Sequence, residues 1–125
     1  LKRLRVDHVV RACEVTYDSS RMVESGIAVT DVIFKDGTFP PKPVIKMWLS
    51  TVVEIKKSGG TTVGVHCVAG LGRAPVLVAL CLIEDGMDPL EVVPLIRRYR
   101  RGAINNAQLQ GLRKYKSSGD GCLLM

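Results

Sequence analysis

Thr62-Val63-Gly64-Val65-His66-Cys67-Val68-Ala69-Gly70-Leu71-Gly72-Arg73-Ala74-Pro75-Val76-Leu77-Val78-Ala79-Leu80 is the stretch that decides the fold. Its first four residues read as a short strand, and Ala74 to Ile83 reads as an apolar helix. A glycine-bearing loop joins them. Amides at a helix N-terminus converge on one point, and the helix dipole favours negative charge there. The same field favours the thiolate of a neighbouring cysteine, which is the nucleophilic form. Arg73 opens the helix with a planar fork of donors that fits two phosphate oxygens together. Between Cys67 and Arg73 stand five residues, Val68, Ala69, Gly70, Leu71 and Gly72, enough for the loop to curl round one tetrahedral anion. Gly70 and Gly72 accept positive φ and put no side chain inside the ring. Such a cradle captures a phosphate ester and lets Cys67 attack its phosphorus in line with the leaving oxygen. The plain alternative is a buried cysteine and a surface arginine in an ordinary strand–turn–helix. His66, the paired glycines and the two flanking elements together weigh against it.

Upstream, Val6 to Ala12 reads as a strand, and Ser19 or Ser20 caps a short helix ending before Gly26. Ile27 to Thr30 is a second strand, and residues 31–40 form a loop marked by the turn signal Asp36-Gly37. Pro41 and Pro43 suit a first helical turn. Val44, Met47, Trp48, Thr51, Val52 and Ile55 recur at helical spacing, so this helix lays one face on the sheet and Trp48 belongs in the core. Ser58-Gly59-Gly60 ends it, and Thr62 to Val65 is expected as the buried central strand. Downstream, Cys81 is a small core residue inside the helix 74–84. Asp88-Pro89 reads as an N-cap and first helical position, with Glu91 placed for a capping box. Pro94 removes a hydrogen bond inside that helix, so a kink or a later start is expected. Asn105 or Asn106 caps a last helix through Tyr115, with Gln108 three residues after Asn105. His8 is expected to be structural, and His66 to orient the loop and tune Cys67. No internal repeat is present. Strands alternating with helices give an α/β fold, a central, mostly parallel sheet flanked by helices.

The 125 residues suit one domain, and a hydrophobic fraction of 46% suffices for a core. No apolar run reaches the length of a membrane span, and the start carries no secretory h-region. Cys13, Cys67, Cys81 and Cys122 are far apart and form no Cys-x2-Cys pair. That argues against a zinc site or a secreted disulfide framework and for a reducing, cytosolic setting. No metal and no cofactor is expected. The net charge of +6 favours phosphorylated substrates or anionic membranes. Nucleic acid is not expected, because aromatic residues are 5% of the chain and no stacking pattern interleaves the basic ones. Arg97, Arg98, Arg100 and Arg101, then Arg113, Lys114 and Lys116, read either as a solvated helix face or as a contact surface.

The string from His66 to Leu80 resembles the cysteine-dependent protein tyrosine phosphatase superfamily, and within it the phosphatases of regenerating liver, the type IVA family. Val10-Arg11-Ala12-Cys13-Glu14-Val15-Thr16-Tyr17-Asp18, Arg100-Arg101-Gly102-Ala103 and the C-terminal tetrapeptide carry the same resemblance, which covers nearly the whole chain. It implies a fold like that of the dual-specificity phosphatases over residues 1–116. It also implies Cys67 as nucleophile, Arg73 and the loop 68–72 as phosphate binders, and Asp36 as general acid. The residues alone do not select Asp36, which is one of 12 acidic residues and reads first as a surface turn aspartate. Two departures stand out. Where the family has Trp-Pro-Phe-Asp-Asp-Gly, this chain has Val32-Ile33-Phe34-Lys35-Asp36-Gly37. The pair that stiffens the acid loop is gone, and a positive charge stands beside the acid position. The family also carries a further strand and helix ahead of Leu1, so the sequence resembles a truncated or alternatively started product.

Ala74 follows the arginine where most tyrosine phosphatases have a hydroxyl residue that helps the thiolate leave, as is usual in this subgroup. Slow hydrolysis and a long-lived phosphocysteine follow, since one lost donor to a developing anion typically costs about 10²–10³ in rate. Ala74 is equally a good early-helix residue. Cys13 reads either as an ordinary buried cysteine or, as the resemblance implies, as a redox partner that pairs with Cys67 under oxidation. Cys122-Leu123-Leu124-Met125 is a Cys-a-a-X box on a flexible tail, residues 117–125, and Met at its end suggests farnesylation. One lipid anchors weakly, so the basic run near Arg113 is expected to add attraction to anionic lipids. The chain is then expected on the cytoplasmic face of the plasma membrane or of endosomes, and in the cytoplasm if unprenylated. Two function classes emerge. One is a slow dual-specificity phosphatase acting on a phosphorylated protein or lipid. The other is a membrane-tethered binding module that docks, as the resemblance implies, to magnesium-transport regulators of the cyclin-M type, with Arg101 at the matching contact position. A second copy of the chain is a further optional partner.

Overall fold

A computed structural model describes residues 8–12, 20–24, 26–57, 59, 63–67 and 73–115. Three four-residue strands, β1 (His8–Arg11), β2 (Ala28–Asp31) and β3 (Val63–His66), form a parallel sheet ordered β2-β1-β3. Among the described strands β1 is therefore central, not β3, whose four residues are all half-buried. A run of valines signals burial, but strand order depends on where the crossing helix sets the chain down, which no local pattern records. His8 Nε2 and Thr30 Oγ1 lie 2.8 Å apart across β1 and β2, a structural role for that ring.

The described residues also form five helices: α1 (Ser20–Glu24), α2 (Lys42–Lys57), α3 (Arg73–Glu84), α4 (Pro89–Tyr99) and α5 (Asn106–Lys114). α2 buries Ile45, Trp48, Val52 and Ile55, the spacing of one helical face. Trp48 is 2% exposed, and its indole N–H donates to the Leu77 carbonyl at 2.8 Å, which ties α2 to α3. α3 is buried nearly all round, Cys81 included, as a helix at the centre of a domain must be. One apolar cluster joins Val10 of β1, Ile45 and Trp48 of α2, Leu77 and Leu80 of α3, Val92 of α4 and Leu112 of α5. At the far end of α3, buried Glu84 accepts from the Tyr115 hydroxyl at 2.5 Å and fastens the C-terminal end of α5.

α4 departs from expectation at its cap. Asp88 accepts from the Leu90 amide at 2.8 Å, while the Glu91 amide goes to the Asp88 carbonyl, so the cap serves the second helical residue rather than forming a box with Glu91. The helix also starts on time and runs through Pro94. Pro94 and Leu90, whose carbonyl loses its helical donor, are both exposed, so water can take that acceptor. α5 begins with the expected box. Asn105 Oδ1 accepts from the Gln108 amide at 2.8 Å, and Gln108 Oε1 accepts from the Asn105 amide at 3.0 Å.

Candidate active site

A parallel sheet aims the carboxyl ends of its strands one way, and ligands of open α/β sheets bind at that rim. Arg11 is level with His66, and the Ala12 amide donates to the His66 carbonyl at 2.8 Å. The next residue on β3's side is Cys67, half-buried. Val68 to Gly72, the expected amide cradle, lie outside the described residues, as do Cys13 and Cys122. The described chain resumes at Arg73, the first residue of α3, which is 4% exposed. A guanidinium so deep needs opposite charge nearby. Asp36 supplies it, with Oδ1 3.7 Å from Arg73 Nε and its own side chain 77% exposed. The start of α3 and the loop 31–40 thus meet, Asp36 is reachable from solvent, and Cys67 and Ala74 line one cavity.

The loop that carries Asp36, residues 31–40, is built by alternation. At its start the Arg11 guanidinium donates to both Asp31 oxygens, at 2.5 and 3.1 Å, and the Val32 amide donates to the Arg11 carbonyl at 2.8 Å. Val32 and Phe34 then point into the core while Ile33 and Lys35 face out, which delivers Asp36 to the tip. Beyond it, the Thr38 amide and hydroxyl both donate to the Lys35 carbonyl, at 3.2 and 2.6 Å. Gly37 closes this turn at φ +78°, where a side chain would be strained. Phe34, 5% exposed, anchors the loop in the core without a Trp-Pro pair.

Sequence reasoning saw Asn105 and Gln108 only as helix caps. Asn105 Nδ2 also donates to the Gly37 carbonyl at 3.0 Å, and Gln108 Nε2 to the Thr38 carbonyl at 3.3 Å. The Arg11–Asp31 pair was likewise unseen. Arg97 is not simply part of a solvated face, since its guanidinium donates to the Ala103 and Ile104 carbonyls at 3.0 and 2.7 Å. Arg98, Arg100 and Arg101 are exposed. An open cavity of about 470 Å³ lies beside Cys67 between α3 and α4, walled by Val78, Leu82, Ile96, Tyr99 and Arg100. Among the described residues no cluster of His, Cys, Asp and Glu is assembled to hold a metal, and no helix is long and apolar enough to cross a membrane.

No family model matches the chain. It is 52% identical over 118 residues to the "Probable protein tyrosine phosphatase type IVA A" of Dictyostelium discoideum, covering 94% of this chain and 71% of that protein. This chain belongs to the protein tyrosine phosphatase type IVA family. The "Protein tyrosine phosphatase type IVA 3" of Homo sapiens is also 52% identical, over 117 residues that cover 93% of this chain and 68% of that relative. A putative protein tyrosine phosphatase from Leishmania major superposes with a TM-score of 0.76 at 42% identity, over 92% of this chain and 77% of that one. Type IVA membership makes the chain a cysteine-dependent protein tyrosine phosphatase, on the α/β phosphatase fold expected from its sequence.

Proposed function

We propose that this type IVA phosphatase hydrolyses phosphate monoesters in two steps, with Cys67 as nucleophile, Arg73 as phosphate binder and Asp36 as general acid. The Cys67 sulfur forms a bond to phosphorus while the bond to the leaving oxygen breaks, and Asp36 gives that oxygen its proton. Arg73 and the amides of residues 68–72 hold the equatorial oxygens. Water then attacks phosphorus and gives a proton to the Asp36 carboxylate, the sulfur–phosphorus bond breaks, the sulfur leaves as thiolate and phosphate departs. Ala74 offers no hydroxyl to the leaving sulfur, so this second step is the slow one. The observation that carries the reading is the Asp36 carboxylate 3.7 Å from Arg73 Nε at the start of α3, with Cys67 and Ala74 on one cavity beside it.

The substrate is a phosphorylated protein or lipid. Farnesylation at Cys122, helped by Arg113 and Lys114 at the end of α5, brings the enzyme to the cytoplasmic face of a membrane. Oxidation joins Cys13 to Cys67 and shields the nucleophile. What supports this pairing is the β1–β3 register, which pairs Arg11 with His66, and the Ala12 amide that donates to the His66 carbonyl. A second reading makes the chain a tethered dock for a cyclin-M type regulator or for a second copy of itself, with Arg101 in contact. The missing hydroxyl at Ala74 favours that reading too.

Pre-steady-state kinetics separates the two. A burst stoichiometric with enzyme, followed by slow turnover and a phosphorylated Cys67 peptide in quenched samples, is expected of the enzyme. Absence of any burst would leave the dock, and a signal surviving Cys67→Ser would remove Cys67 from the mechanism.

A further inference from the structure

We propose that Asn105 and Gln108 are positioning residues that hold Asp36 in place from helix α5. This rests on the reading of Asp36 as general acid. The three residues after Asp36 lie along one stripe of α5. Gly37 accepts from Asn105, Thr38 accepts from Gln108, and the Phe39 ring covers Gly111. Positions 105, 108 and 111 are spaced by three, which puts them on one helix face.

The two amide side chains are not free to serve the loop in any other orientation. Each has its oxygen engaged in the capping box and its nitrogen turned to the loop. Gln108 is fully buried, so water cannot replace the Thr38 carbonyl as its acceptor. The ground from which Asn105 reaches is also fixed. Ile104, one residue earlier, has φ +66° and is 2% exposed. A β-branched residue keeps that conformation only when its surroundings over-determine it. Arg97, through the Ala103 and Ile104 carbonyls, does so. The loop's other end is held by the Arg11–Asp31 pair. Asp36 lies between these anchors, directly before the first α5 contact. The acid is therefore set in position by the last helix, 68 residues away in sequence from Gly37 to Asn105, in a chain without the Trp-Pro pair.

Asn105→Asp tests this in the full chain. It keeps the oxygen that caps α5 and removes the donor to Gly37. The readout is kcat/KM, which reports steps up to phosphocysteine formation and is blind to slow hydrolysis. Phenyl phosphate has a poor leaving group that needs protonation, and 2,4-dinitrophenyl phosphate has one that does not. Asn105→Asp and Asn105→Ser are expected to lower kcat/KM for phenyl phosphate about fivefold to tenfold, the equivalent of one lost hydrogen bond, and for the dinitrophenyl ester less than about twofold. Asp36→Asn is expected to lose about 10²–10⁴, on phenyl phosphate alone. Equal losses on both esters, or none, in the Asn105 variants while Asp36→Asn discriminates would overturn the positioning role and leave the acid in place. An Asp36→Asn variant indifferent to the leaving group would sink the acid reading and the positioning role with it.

Discussion

Gly111 sets two physical effects against each other, and the structure decides the sign. Alanine in the middle of α5 would gain roughly 0.5–1 kcal/mol over glycine in helix propensity. At this glycine, however, a Cβ would stand 2.8 Å from Phe39 Cβ and closer still to the ring. The near end of a side chain cannot swing away cheaply, so the helix or the 37–39 segment must shift. Overpacking of this kind costs typically about 1–3 kcal/mol. The net expectation for Gly111→Ala is a loss of about 1–2 kcal/mol, or roughly 4–8 °C in Tm for a domain of this size. Thermal unfolding followed by circular dichroism measures it, and the decisive comparison is the same substitution in a Phe39→Ala background. With the ring gone, only the propensity term remains, and Gly111→Ala should raise Tm by about 2–4 °C. A rise in the parent background would mean that Phe39 does not rest on this helix, and the segment 37–39 would lose one of its three α5 contacts.

Trp48→Phe removes the donor to the Leu77 carbonyl from a site 2% exposed and is expected to cost about 1–3 kcal/mol, seen as a lower denaturant midpoint at unchanged slope. Tyr115→Phe takes away a donor to buried Glu84, and a similar loss of about 1–3 kcal/mol is expected, with the activity toward a small aryl phosphate kept. Arg73→Lys preserves the charge but not the planar fork, so kcat/KM should fall by at least about 10² while vanadate inhibition weakens in parallel. A variant within about twofold of the parent would remove Arg73 from phosphate binding.

The elements were legible where the signal is local. The Trp48 face of α2 and the apolar α3 lie where periodicity placed them, and α5 is capped by Asn105, one of the two caps the sequence offered. Of the two outcomes expected of Pro94, the later start is not the one seen, because α4 begins at Pro89 and Leu90, whose carbonyl loses its donor, is 67% exposed. Strand order and the α5 contacts to residues 37–39 were not legible, since they join segments up to 70 residues apart through main-chain carbonyls that any sequence would offer. At the site, Cys67 and Arg73 announce themselves by spacing. Asp36 does not, and its place beside Arg73 became visible only when the loop was traced through buried Val32 and Phe34.

With the three described strands running the same way, Cys67 and Asp36, the groups proposed to react, follow the carboxyl ends of β3 and β2, at one rim of the sheet. Gly59 precedes the amino end of β3, in the turn between α2 and β3, with open space around it and its amide returned to the Lys56 carbonyl at 3.1 Å. Extra residues are best tolerated at such an exposed turn. A fluorophore or an immobilisation handle inserted at Gly59 would give a sensor or a surface-bound enzyme whose working edge still faces the solution.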